Sequence, residues 1–201
     1  MRTRRGIAVT LGIGFLSLLG NAEAQNVIST QIVGQPLVYM KDGNVNGCGV
    51  RLIVVVSPPL PSAAPVPVYD LSFNTFLPGY CVVKGSSSDV PSSKTDGAPD
   101  FSKERGIPLT TFWLKAKNKP ATSPLTGTLK GEKPGSILYK ADIDAVLPLF
   151  AVAAKGETIL VGTKRQGENF ERIFTGAIAM PVNEIEEVIQ CLDEIQRVKA
   201  K

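Results

Sequence analysis

The chain has 201 residues, of which 43% are hydrophobic and 20% charged, with a formal net charge of +4 and no histidine. That length and apolar content suffice for one domain with a substantial core and are short for two. The absence of imidazole excludes Ser-His-Asp triads, Cys-His dyads and every histidine-bearing zinc site.

The first predicted element is a leader. Arg2, Arg4 and Arg5 precede an apolar run over residues 7–19, and Ala22-Glu23-Ala24 has the small-x-small form of a cleavage site. Residues 1–24 therefore read as a cleaved secretory signal peptide. The apolar run is shorter than the roughly 20 residues a membrane-spanning helix needs. Arg4-Arg5 loosely matches a twin-arginine signal as well. Taking 24 residues from 201 leaves 177, and losing three Arg and one Glu lowers the charge from +4 to +2. The expected location is periplasmic or secreted. Charge alone does not support nucleic-acid or membrane-surface binding.

Short β-branched and apolar segments then recur between Gly, Pro and Ser clusters. Strands are predicted over 27–33, 37–41, 49–56, 68–76, 80–84, 109–117, 137–141, 157–164 and 170–179. The run Arg51-Leu52-Ile53-Val54-Val55-Val56 hardly alternates and is expected to be buried on both faces. The stretch from Tyr69 to Asn74 alternates and is expected to be half exposed. Two loops interrupt the pattern, a proline-rich one over 57–67 and a polar one over 85–100. Residues 142–155 suggest a short helix capped by Asp142 and broken by Pro148. The tail, 183–199, reads as an amphipathic helix with Asn183 and Glu186 at capping-box spacing. Its apolar stripe is Val182, Ile185, Val188, Ile189, Leu192 and Ile195. The fold class is thus mainly β (α+β): a single antiparallel β-sandwich or barrel-like domain over 25–201, with an amphipathic C-terminal helix packed on a sheet.

Asp42-Gly43-Asn44-Val45-Asn46-Gly47 carries the first half of a calcium loop, D-x-N-x-N-G. The twelfth position is Ile53, so the bidentate carboxylate is missing. Asp-Gly and Asn-Gly are also hairpin dipeptides, and a hairpin is the expected structure. No metal site and no cofactor are expected. Gly47-Cys48-Gly49 follows directly. In an oxidising compartment three cysteines suggest one disulfide and one thiol. Cys48–Cys81 is the expected pair, worth roughly 3–4 kcal/mol on chain-entropy grounds. Cys191 is then free, or is the rival partner.

No catalytic residue is identifiable: Ser-x-x-Lys and phosphate-loop motifs are absent, and nothing in the sequence brings two carboxylates together. Lys115, Lys117, Lys119, Lys130, Lys133 and Lys140 face only Glu132 among acids over 115–140, a pattern able to meet an anionic surface. The same lysines serve equally as protection of an edge strand. Phe112, Trp113 and Tyr139 give weak aromatic interleaving, so no specific nucleic-acid partner is expected.

The last third passes from Gly156-Glu157-Thr158-Ile159-Leu160-Val161-Gly162 through Phe174-Thr175-Gly176 to a helix carrying Cys191. This resembles the ending of small exported proteobacterial β-sandwich proteins of the invasion-associated locus B family. The resemblance implies an exported sandwich with a docked closing helix and carries over no catalytic residue. The expected function is non-enzymatic binding to an unknown protein or envelope component, sought first at the 85–100 loop and the lysines. The alternatives are a glycan-acting envelope hydrolase using carboxylates, and a subunit of an envelope or secretion assembly.

Overall fold

A computed structural model describes residues 27–56, 65–91, 99–131 and 135–199. The predicted leader, most of the proline-rich loop, residues 92–98 of the polar loop and Lys133 lie outside them.

The described chain forms eleven strands and two helices. The strands are β1 (Val27–Ser29), β2 (Ile32–Lys41), β3 (Asn44–Val55), β4 (Val66–Phe76), β5 (Tyr80–Val90), β6 (Arg105–Ile107), β7 (Leu109–Ala116), β8 (Leu129–Lys130), β9 (Ile137–Ala141), β10 (Thr158–Arg165) and β11 (Arg172–Ala179). The helices are α1 (Ile143–Lys155), between β9 and β10, and α2 (Val182–Lys199). All strands join one sheet in the order β7-β10-β11-β2-β3-β4-β5-β9-β8, with β1 on β11 and β6 on β5. The sheet is antiparallel except where β11 runs parallel to β1 and to the start of β2.

The β2–β3 hairpin turns at Asp42 and Gly43, both at positive φ (51° and 78°). Asn44 Nδ2 donates to the Asp42 carbonyl at 3.1 Å. This is the turn geometry that Asn, Asp and Gly tolerate. Pro36 lies within β2 opposite Val50. It is tolerated there because β11 pairs β2 only at Ile32 and Val33, so an amide at position 36 would have no ladder partner on that side.

The sheet curls without closing into a barrel. The free edge of β7 is sealed by irregular contacts instead of a ladder. Leu109 N donates to Gly135 O at 3.1 Å, and Thr122 N to Leu114 O at 2.9 Å. Leu114 N donates to Thr122 Oγ1 at 2.9 Å, and the Tyr139 hydroxyl to Phe112 O at 3.1 Å. Edge groups that would otherwise invite another strand are thereby satisfied.

The concave side holds the core: Val50, Leu52 and Val54 of β3, Leu71 and Phe73 of β4, Leu114, Val161 and Phe174 all point inward. Helix α1 packs into this core through Val146, Leu149, Phe150 and Ala153. Asp142 caps it, accepting from Asp144 N at 2.9 Å, and Gly156 ends it at φ 62°. Pro148 does not break it; buried side chains on both sides of the proline hold the helix through the missing hydrogen bond.

Helix α2 starts one residue before the predicted range. The Pro181 carbonyl accepts from Glu184 N and Ile185 N, each at 3.0 Å, so Asn183 lies inside the first turn and is not the cap. Its buried stripe is Val188, Cys191 and Ile195, whereas Val182 and Ile189 are exposed. The helix is bonded to the sheet by Cys48–Cys191, Cα–Cα 5.9 Å.

Three further expectations are corrected. Residues 85–90 are strand, because they pair with Val66–Leu71 of β4 and with β6, so the polar loop is shorter at its start. Arg51, Ile53 and Val55 are only half-buried, so that run has one core face and not two. Ser72 and Asn74, expected half exposed, are buried because β4 lies at the centre of the sheet.

Candidate binding surface on the outer sheet face

From Gly47 onward, strand alternation sends even-numbered residues of β3 inward and odd-numbered ones outward, while a bulge before it turns Val45 to the same side as Cys48. Cys48 is therefore inward, beneath α2. Its neighbours in the same row are Thr75 of β4 and then Cys81 of β5. Cys81 lies two strands away, about 9.6 Å at the usual strand spacing, beyond the reach of a disulfide. That row overturns the Cys48–Cys81 pairing. The rival partner Cys191 takes the bond, and Cys81 is a buried thiol.

Gly47 and Gly49 face outward, and each makes room for a neighbour. A Cβ at Gly47 would collide with the Phe76 ring, and one at Gly49 with the Asn74 amide. With Gly47 bare, Tyr39 and Phe76 meet across β3 with ring centroids 4.8 Å apart. Phe76 stacks on Tyr80 at 5.3 Å, and Lys140 Nζ lies 5.6 Å from the Tyr80 centroid. Cross-strand aromatic contacts of this kind support a sheet where glycine leaves it bare. The ring faces are occupied by one another, so this row is scaffold.

Beside it lies a depression of about 350 Å³ lined by Leu37, Tyr39, Arg51, Asp70, Ser72, Lys84 and Ser86. Arg51 grips Asp70 with two parallel bonds, Nε–Oδ1 2.8 Å and Nη2–Oδ2 2.7 Å. Asp70 raises the Arg51 pKa further above its ordinary value, against the burial that lowers it. The Tyr39 hydroxyl donates to Asn74 Oδ1 at 2.9 Å, while Asn74 Nδ2 donates to Ser72 Oγ at 3.2 Å and Val82 O at 3.1 Å. Burial raises the Tyr39 pKa. The floor is thus fixed by a buried hydrogen-bond network and the wall by a bidentate ion pair.

A second polar group lies inside the curl. Arg165 is buried, with Nη1 on Asp89 Oδ1 at 2.5 Å and Nη2 on Ser88 O at 2.9 Å. Its guanidinium sits 4.7 Å from the Tyr69 ring centroid. Burial raises the Tyr69 pKa, and the Arg165 charge opposes that rise. Arg165 ties β10 to β5 across the interior and acts as a strut.

The predicted lysines do not form one site. Lys115 and Lys117 line one depression with Asn118 and Leu160, while Lys130 lines another with Pro108 and Gln166. Lys119 is exposed after β7, and Lys133 is outside the described residues. Phe112 and Tyr139 are buried, and the Trp113 indole lies over Gly162 with Nε1 bonded to Glu171 at 2.8 Å. None of the three is placed for base stacking. Among the described residues no group of three or more His, Cys, Asp or Glu could hold a metal ion. No helix among them is long and apolar enough to cross a membrane.

The outer depression escaped sequence reading because its residues come from four strands. The signal was present in the alternation: Leu37 and Tyr39, Arg51 within an apolar run, Asp70 and Ser72, Lys84 and Ser86 each sit two apart from outward neighbours. No protein-family model, curated protein or solved structure matches the chain.

Proposed function

We propose that the chain is an exported, non-enzymatic binding protein that presents the outer face of β2–β5 to a component of the cell envelope. The observation that carries this reading is the depression around Arg51 and Asp70, whose polar side chains converge from four strands and are held in place by hydrogen bonds. A concave site of about 300 Å³ or more with a few fixed polar groups is the usual form of a ligand pocket. The leader-like N-terminus and a disulfide together favour a periplasmic or secreted location. Kinship to exported proteins of the invasion-associated locus B type is consistent with that location and is part of the proposal.

The hydrolase alternative needs two carboxylates free to act in one cleft, and Asp70, which lines this depression, is held bidentately by Arg51. An assembly subunit would use an open apolar edge or patch; of the two ends of the strand order, the β7 edge is sealed at Leu109, Phe112 and Leu114, and the other is the two-residue strand β8. Amide chemical-shift mapping tests the reading. Soluble envelope fractions (glycan, lipid headgroup and peptide) are titrated into the labelled protein. Shifts clustered on residues 35–39, 49–53, 70–74 and 82–86 are expected. Shifts confined to other surfaces, or none with any fraction, would contradict it.

A further inference from the structure

We infer that the polar end of the curl holds an internal water between Tyr69 of β4, Thr163 and Arg165 of β10 and, at its outer side, Arg172 of β11. The inference is independent of the outer-face reading. Among the described residues, five buried side-chain polar atoms make no hydrogen bond, and four of them are here: Tyr69 Oη, Thr163 Oγ1, Arg165 Nε and Arg172 Nε. The strand register brings them together. Thr163 pairs with Phe112 on one side and Arg172 on the other, so the three share one inward row. Arg165 reaches in from the same strand and rests on the Tyr69 ring, 4.7 Å from its centroid. Burial raises the Tyr69 pKa; the Arg165 charge and then the Thr163 hydroxyl oppose the rise, which sets the two hydroxyls beside each other.

Tyr69 and Thr163 are fully buried and Arg165 nearly so, and a polar group left unmet at such depth is costly. The hydroxyls cannot settle this between themselves. Bonded to each other they use one of their two protons, and the other stays unmet together with both Nε–H groups. The group thus calls for an acceptor. That acceptor is uncharged, because each guanidinium already has its counter-ion, Arg165 on Asp89 and Arg172 on Glu168. Both Glu168 oxygens are engaged as well, Oε1 by Arg172 and Oε2 by the Arg165 amide. A water meets both conditions: it is neutral, and it accepts as well as donates, as buried waters do for polar groups the chain leaves unmet. Arg172 keeps 27% of its side chain exposed, so the polar group extends from the interior to solvent and a water has a way in. Held there, the water extends the Arg165 strut from β5 and β10 to β4.

Atomic-resolution crystallography of the purified protein, paired with water–protein cross-relaxation NMR on the Arg165 Nε–H, tests the inference. Expected is a water within about 3.2 Å of Arg165 Nε and of at least one of the two hydroxyls. Its cross-peak to the Arg165 Nε–H is expected to carry the sign of a long-held water. Thr163→Val, which keeps the side-chain shape and removes the hydroxyl, is expected to abolish both signals, and Thr163→Ser to keep them. Should Thr163→Val not fold, Tyr69→Phe carries the same expectation. Direct bonds among the four groups, or no density and no cross-peak, would overturn the inference. A halide or an organic molecule at the position would overturn the assignment of water. Signals unchanged in both Thr163→Val and Tyr69→Phe would overturn the assigned partners.

Discussion

At the scale of single residues, the Gly47-Cys48-Gly49 triplet shows what local sequence cannot give. The sequence supports a disulfide at Cys48 but not which partner it takes, nor why both neighbours are glycine. In the fold the cysteine points inward to a disulfide, and the glycines are bare because Phe76 and Asn74 lie across them. Gly49→Ala is therefore expected to destabilise by about 1–3 kcal/mol through overpacking, read from urea denaturation. An unchanged midpoint would show that Asn74 moves aside freely. Tyr139 supplies a pH effect. Burial pushes its pKa up to about 12 from 10.0, the Thr122 hydrogen bond opposing. The folded pKa is the higher one, so above pH 10 the unfolded chain binds fewer protons than the folded chain. The contribution is complete below pH 10 and is lost as pH rises toward 12, about 2–3 kcal/mol in all. Tyr139→Phe is expected to flatten that decline in a pH series of denaturation curves, after allowance for its own loss of stability. An equally steep decline would assign the effect to other groups.

At the scale of elements, all nine predicted strand segments contain observed strands, because alternation of apolar and polar residues is a local property. Tertiary pairing set what local pattern could not. Residues 85–90 look like loop in composition yet form strand, since β4 and β6 flank them. The disulfide partner was illegible for the same reason: it depends on Thr75 standing between Cys48 and Cys81, which only strand order reveals. The bond that forms spans 143 residues and on chain-entropy grounds is worth about 5 kcal/mol. Replacing Cys48 and Cys191 together by Ser is expected to cost 2–5 kcal/mol. Replacing Cys81 by Ala is expected to cost less, since it removes the local contacts of one buried sulfur and no cross-link. Comparable losses in the two variants, by calorimetry, would contradict the assigned pairing.

At the scale of the whole molecule, the sheet is a curl held shut from three directions. Helix α2 is bonded to β3, the segment after β7 seals that strand's edge, and Arg165 reaches across to Asp89. A sandwich or barrel was the sequence expectation; the curl lies between them because the β7 edge meets side chains and turns instead of a strand. Asp89→Asn leaves the buried guanidinium without its counter-charge and is expected to cost about 3 kcal/mol, measured against the wild type in urea. A loss under 0.5 kcal/mol would show that Arg165 is neutralised from elsewhere. With the interior committed to packing, the outer face is the surface that the proposed function assigns to recognition, and export is the part of that proposal that would bring it to the envelope. The most direct test of that account is a peptide mass map, with alkylation before and after denaturation, of the protein recovered from the periplasm or medium. Expected are an N-terminus at Gln25, a linked Cys48–Cys191 peptide and a Cys81 that alkylates only after unfolding. An intact Met1 start with three reactive thiols in the cytosolic fraction would contradict it.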